Sequence, residues 1–81
     1  MMSLAELNRI TSKFDLEACM AIASGRKETI DSIKEEINTQ LISFNNMKSE
    51  AVEATDIHNL ESAIYKLQIT LKDIEGFGML F

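Results

Sequence analysis

The amino-acid sequence predicts an all-α fold, an antiparallel helical hairpin with an additional N-terminal helix, forming a small three-helix bundle in a single domain over residues 1–81. The chain contains no proline, and its three glycines stand at positions 25, 76 and 78, so few residues interrupt a helix. Apolar residues recur at steps of three and four, the spacing of one helical face. No segment alternates strictly between apolar and polar residues, as a half-buried strand would.

The first helix is predicted over about residues 3–24. The hydroxyl of Ser3 can cap its first turn, and Gly25 suits the left-handed conformation that often follows a helix. The apolar residues of this segment share one stripe: Leu4, Leu7, Ile10, Phe14, Ala18 and Ala21.

The second helix is predicted over about residues 27–53. Its apolar stripe consists of Ile30, Ile33, Ile37, Leu41, Phe44, Met47 and Ala51. Asn45-Asn46 is also a competent turn, and a break there would give arms near 27–44 and 46–75. Because the stripe continues past this pair, the pattern favours a later turn, near Thr55.

The third helix is predicted over about residues 56–75, with Thr55 or Asp56 as its cap. Its apolar residues form an unbroken heptad seam, typical of a helix packed lengthwise on another helix: Ile57, Leu60, Ile64, Leu67, Leu71 and Ile74. The glycines at 76 and 78 are predicted to stop this helix. The apolar tail at 79–81 is then either pinned to the core or offered to a partner.

Composition argues against several functional classes. The net charge is -5, and the eight Lys and Arg residues are scattered, whereas nucleic-acid binding needs clustered positive charge. No apolar run approaches the ~18 residues that span a bilayer, so membrane insertion is not expected. The first residues lack a basic region followed by an apolar one, which predicts a cytoplasmic protein.

The sequence also predicts no catalytic residues, no cofactor and no metal, and hence a protein that is not an enzyme. His58 is the one histidine and has no recognisable nucleophile or orienting partner. Cys19 stands between Ala18 and Met20 and is expected to be buried or half-buried and unreactive. A single Cys and a single His cannot form a structural zinc site.

The remaining expectation is protein binding. A chain this short buries only about 60% of the surface that its unfolded form exposes, and exposed apolar stripes usually mark interfaces. The predicted partner contacts are Leu4, Leu7, Ile10, Phe14, Met20, Tyr65 and Ile69. The first four are predicted on the condition that the first helix is not needed to close the bundle. Under that condition, Leu7→Asp would spare the fold and weaken partner binding.

The run Leu60-Glu61-Ser62-Ala63-Ile64 resembles the C-terminal helix of the YscE-like proteins, small co-chaperones of bacterial type III secretion systems. The resemblance covers roughly residues 50–75. It implies that this protein pairs with a tetratricopeptide-like chaperone, and that the two keep the needle subunit soluble and unpolymerised in the bacterial cytoplasm. Two features depart from the family. No glycine lies between residues 25 and 76 to make the hairpin turn, and the N-terminal segment is longer.

Two alternatives stay open. A structural needle-type subunit is also a short helical hairpin, but such subunits characteristically have proline in the turn, and this chain has none. A homo-oligomeric coiled-coil adaptor is favoured by the heptad seam between Ile57 and Ile74, which would then drive self-association.

Overall fold

The computed structural model describes residues 2–78, and within them it has three helices and no strand. Helix α1 spans Leu4–Ser24, α2 spans Lys27–Glu50 and α3 spans Ala54–Gly78. Each helix packs against the other two, and α2 and α3 are joined by only three residues, so they run antiparallel. The predicted all-α fold, a helical hairpin with an additional N-terminal helix, is confirmed.

Both ends of α1 are formed by the predicted residues. The Ser3 hydroxyl accepts a hydrogen bond from the Glu6 backbone N–H at 3.2 Å, which satisfies one of the free donors of the first turn. Gly25 has φ 66°, and its N–H donates to the Ile22 carbonyl at 3.2 Å. The left-handed glycine ends α1 and lets α2 begin two residues later.

Gly25→Ala is expected to destabilise the protein, whereas Gly76→Ala is expected to stabilise it slightly. A Cβ would meet no atom within 4 Å at either position, so only the backbone distinguishes them. At Gly25 the positive φ strains an alanine by about 1 kcal/mol, but at Gly76 the backbone is helical and alanine gains up to ~1 kcal/mol. Thermal denaturation should therefore give a midpoint below that of the wild type for Gly25→Ala and slightly above it for Gly76→Ala. A lower midpoint for both variants would contradict this account.

The turn between α2 and α3 lies at residues 51–53, so the later of the two predicted turns is confirmed. Asn45 is inside α2, and its side-chain amide donates to the Leu41 carbonyl at 2.9 Å. The predicted end of α2 at residue 53 was too late, because Ala51 already has an extended backbone. The predicted caps Thr55 and Asp56 were wrong, since α3 starts at Ala54 and both residues lie in its first turn.

The predicted stop at Gly76 was also wrong, because α3 continues through this residue to Gly78. A glycine ends a helix when its φ becomes positive, as at Gly25, and the backbone at Gly76 stays helical. The predicted role of the tail at 79–81 lies outside the described residues.

The core runs along the bundle axis and takes residues from all three predicted stripes. Its buried apolar members are Leu7, Phe14, Ala18, Ala21, Ile30, Ile37, Phe44, Leu60, Ala63, Ile64, Leu67 and Ile74. Two threonines are buried with them. The hydroxyls of Thr11 and Thr70 each donate to a backbone carbonyl of their own helix at 3.1 Å, which removes the cost of burying an unpaired hydroxyl.

Helix α1 closes this core, so the condition attached to its predicted partner contacts does not hold. Leu7 is 2% exposed and Phe14 is 8% exposed, and Ile10 is half-buried against the core. Leu7 and Phe14 therefore cannot contact a partner while the bundle is intact. Leu4, at 50% exposure, is the one residue of this group with a largely free side chain.

Candidate partner-binding surface

Large apolar side chains that stay exposed are the strongest functional feature of the described residues. They are Leu4, Leu16, Met20, Ile42, Val52, Tyr65 and Ile69. Leu4, Met20, Tyr65 and Ile69 were among the predicted partner contacts. Leu4 is at the start of α1, Val52 is in the turn at 51–53 and Ile42 is on α2, whereas the other four form two pairs, one on α1 and one on α3.

The first group is the α3 surface, which consists of Tyr65 and Ile69. Tyr65 and Ile69 are 63% and 44% exposed and stand four residues apart, so they are neighbours on the outer side of α3. Ile42 is 64% exposed and lies on the neighbouring helix α2.

The Lys48–Glu61 contact shows how α2 and α3 are aligned along the bundle axis. The Lys48 ammonium and the Glu61 carboxylate are 3.4 Å apart. Because the helices are antiparallel, Ile42, six residues before Lys48, lies level with Leu67, six residues after Glu61. That level falls between Tyr65 and Ile69. The prediction missed Ile42, although a large apolar residue outside the α2 stripe was a signal for it.

One edge of the α3 surface is a polar groove between α1 and α3. Ile69 lines it together with Ser12, Asp15 and Lys66. The Lys66 ammonium donates to the Asn8 side-chain carbonyl at 3.2 Å across the groove, tying the two helices together at this point. An apolar centre with a polar rim is the usual anatomy of a protein interface, in which the rim sets the orientation.

The second group is the α1 surface, which consists of Leu16, Cys19, Met20 and Ala23. Leu16 and Met20 are 62% and 63% exposed, and Cys19 and Ala23 are exposed beside them. Their spacings of three, four and seven residues place all four side chains on one face. The predicted burial of Cys19 was wrong, since this residue lies on the solvent side of α1 although its sequence neighbour Ala18 is in the core.

Other candidate sites are weaker. His58 is exposed near the start of α3. No group of three or more His, Cys, Asp or Glu side chains within residues 2–78 is arranged to hold a metal ion. Over the same residues, none of the helices combines the length and the apolar character needed to cross a membrane.

Comparisons of the chain with protein-family models, with curated proteins and with solved structures found no match. The resemblance of residues 60–64 to the YscE-like proteins therefore stays a prediction. In the structure, Leu60, Ala63 and Ile64 are buried, and Glu61 forms the ion pair with Lys48. Packing within the bundle is thus sufficient reason for three of the five residues in this run.

Proposed function

We propose that this protein binds another protein through the α3 surface and acts as a co-chaperone in bacterial type III secretion. In this proposal its partner is a tetratricopeptide-like chaperone, and the two proteins together keep the needle subunit soluble and unpolymerised in the cytoplasm. The observation that carries the binding function is the exposure of Tyr65 and Ile69, in contact range of each other on a closed bundle. The secretion setting rests on the resemblance of residues 60–64.

The α3 surface suits a helical partner. Tyr65 combines a large apolar ring with a hydroxyl that can keep a hydrogen bond when the ring is covered, which is why tyrosine is enriched at interfaces. Apolar side chains spaced four residues apart on a helix fit between the ridges of another helix. A chaperone built of helix pairs presents such ridges.

The proposed mechanism needs no covalent chemistry. The core is closed by α1, so the bundle would bind as a preformed unit through its outer faces and would lose little conformational entropy on binding. A protein that binds only the folded form of its partner stabilises that form by mass action, by about 2.7 kcal/mol when it is present at 100 times its Kd. The small protein would in this way keep the larger chaperone folded and able to hold the needle subunit.

The test compares tagged wild-type protein with the variant Tyr65→Gln/Ile69→Gln in pull-downs from the native bacterial lysate, followed by mass spectrometry. Glutamine is a good helix former and adds no charge, so the variant should keep its helical content. We expect the wild type to recover a helical-repeat chaperone with a needle-type subunit. The variant should recover about tenfold less of both, because buried tyrosine anchors carry much of the binding energy.

The matched control is Ala5→Gln/Asn46→Gln, which changes two exposed residues of α1 and α2 outside both apolar surfaces. It should recover both proteins at the wild-type level. Equal recovery by wild type and Tyr65→Gln/Ile69→Gln, with both folded by circular dichroism, would show that the α3 surface is not the contact. Recovery of no helical-repeat chaperone by the wild type would contradict the secretion role.

The homo-oligomeric coiled coil is a second candidate, and the structure changes the argument for it. The heptad seam that suggested self-association packs in the core of the single chain, since Leu60, Leu67 and Ile74 are 0% exposed. Self-association, if it occurs, must use an outer surface. Sedimentation equilibrium over a range of concentrations measures it directly, and a mass of twice the monomer with no other protein recovered would favour this candidate.

A further inference from the structure

A groove between α1 and α2 borders the α1 surface and is strongly acidic. Its two connected parts share Ser32 and Glu36, and Phe14 and Ile33 contribute apolar lining. The charged side chains that line it are Lys13, Glu17, Glu28, Glu35 and Glu36. Four carboxylates therefore face one ammonium group along this side of the bundle.

Most of this negative charge is not compensated. The Lys13 ammonium lies 3.9 Å from the Glu17 carboxylate, in an exposed pair that water screens. Within residues 2–78, Glu28, Glu35 and Glu36 have no cationic group within 4.0 Å. The groove thus presents a negative potential that a cationic partner would relieve.

The α1 surface borders this groove as an apolar ridge. Leu16 lies three residues after Lys13, and Met20 lies three residues after Glu17, so each exposed apolar side chain is next to a residue that lines the groove. A helix laid along α1 and α2 would cover Leu16 and Met20 with one face. The residues that flank the apolar face of the docked helix would then lie over Glu28 and Glu36.

We propose that this groove and the α1 surface form a second docking site, and that its occupant is an amphipathic helix whose apolar stripe is flanked by Lys or Arg. Charge decides between this occupant and a second copy of the chain. In a two-fold symmetric contact the same surface meets itself, so four carboxylates would face four others across the interface. A basic helix instead pairs its ammonium or guanidinium groups with them.

This site is separate from the α3 surface. It is built on α1 and α2, whereas Tyr65 and Ile69 lie on the outer side of α3. The polar groove lined by Ser12, Asp15 and Lys66 lies between the two surfaces, so one molecule has room for a helical segment on each. The two proposals are also independent, because a variant of one surface leaves the other intact.

The test uses a fluorescein-labelled synthetic helix with leucine at one-face spacing and lysine on both flanks, and the same peptide with glutamate in place of lysine. Fluorescence anisotropy with the full-length protein is expected to show saturable binding of the lysine peptide only. Affinity should fall as salt is raised, since exposed charges are screened. Binding of both peptides with similar affinity, or of neither, overturns the proposal.

Three variants locate the contact. Leu16→Gln/Met20→Gln should weaken binding of the lysine peptide about tenfold, and Glu28→Gln/Glu36→Gln should weaken it at least about threefold. The control Glu50→Gln/Glu53→Gln removes the same amount of charge at the α2–α3 turn and should change the affinity by less than about twofold. Equal losses in both Glu→Gln variants would mean general attraction to an acidic protein and would overturn the assigned site. Self-association that Leu16→Gln/Met20→Gln abolishes would assign the surface to a second copy instead.

Discussion

Replacing Leu67 by aspartate is expected to unfold the protein. Leu67 is 0% exposed and lies in the middle of α3, where the core of the bundle is built from all three helices. A carboxylate placed there must either stay charged without water or take up a proton, and it also leaves a space that leucine filled. The cost of several kcal/mol is comparable to the entire net stability of about 4 to 12 kcal/mol expected for a domain of this size.

Far-ultraviolet circular dichroism and thermal denaturation measure this effect. The matched control is Gln68→Asp, which introduces the same side chain at the next residue, on the exposed side of α3. It should keep the wild-type helical signal and a midpoint within a few degrees, because exposed substitutions usually change stability by less than about 0.5 kcal/mol. A cooperative transition at the wild-type temperature for Leu67→Asp would mean that the seam is not in the core.

The second large effect distinguishes two leucines that the sequence pattern treats alike. Leu7→Asp is expected to unfold the bundle or to lower its stability by more than about 3 kcal/mol, since Leu7 is 2% exposed in the core. Leu4→Asp is expected to be neutral or slightly stabilising. Leu4 is 50% exposed and is the first residue of α1, where a negative charge interacts favourably with the helix dipole.

Urea denaturation of both variants gives the comparison. The sequence alone predicted that Leu7→Asp would spare the fold. The structure reverses that expectation because α1 closes the core. If Leu7→Asp kept the wild-type midpoint, α1 would not be packed on the hairpin in solution. Its apolar stripe would then again be a candidate for partner binding.

The sequence predicted the helices well where the signal was local. Ser3 and Gly25 mark the two ends of α1, because a hydroxyl acceptor and a glycine with positive φ act on backbone groups within a few residues. The three apolar stripes were confirmed as sources of the core, since spacing along a helix alone decides which side chains share a face. The sequence missed Thr11 and Thr70 in the core, because each satisfies its hydroxyl within its own helix and can then be buried like an apolar residue.

The candidate sites were predicted less well. Tyr65, Ile69 and Met20 are exposed as partner contacts must be, but Leu7 and Phe14 are core residues, and Ile42 was not among the predicted contacts. Cys19 has apolar neighbours in sequence and still faces solvent, because consecutive residues of a helix point about 100° apart. Hydrophobicity in a sequence window therefore does not tell a core residue from a surface one.

The sequence by itself determined the number of helices, their approximate ends and the face on which each carries its apolar residues. These properties depend on hydrogen bonds and spacings within a few residues of one another. Only the tertiary structure decided that α1 covers the hairpin, and hence that Leu7 is core whereas Leu16 and Met20 are surface. It also brought the carboxylates of Glu17 and Glu36 to one groove. Burial and charge clustering depend on which helix faces meet, and that is settled by packing between segments far apart in the chain.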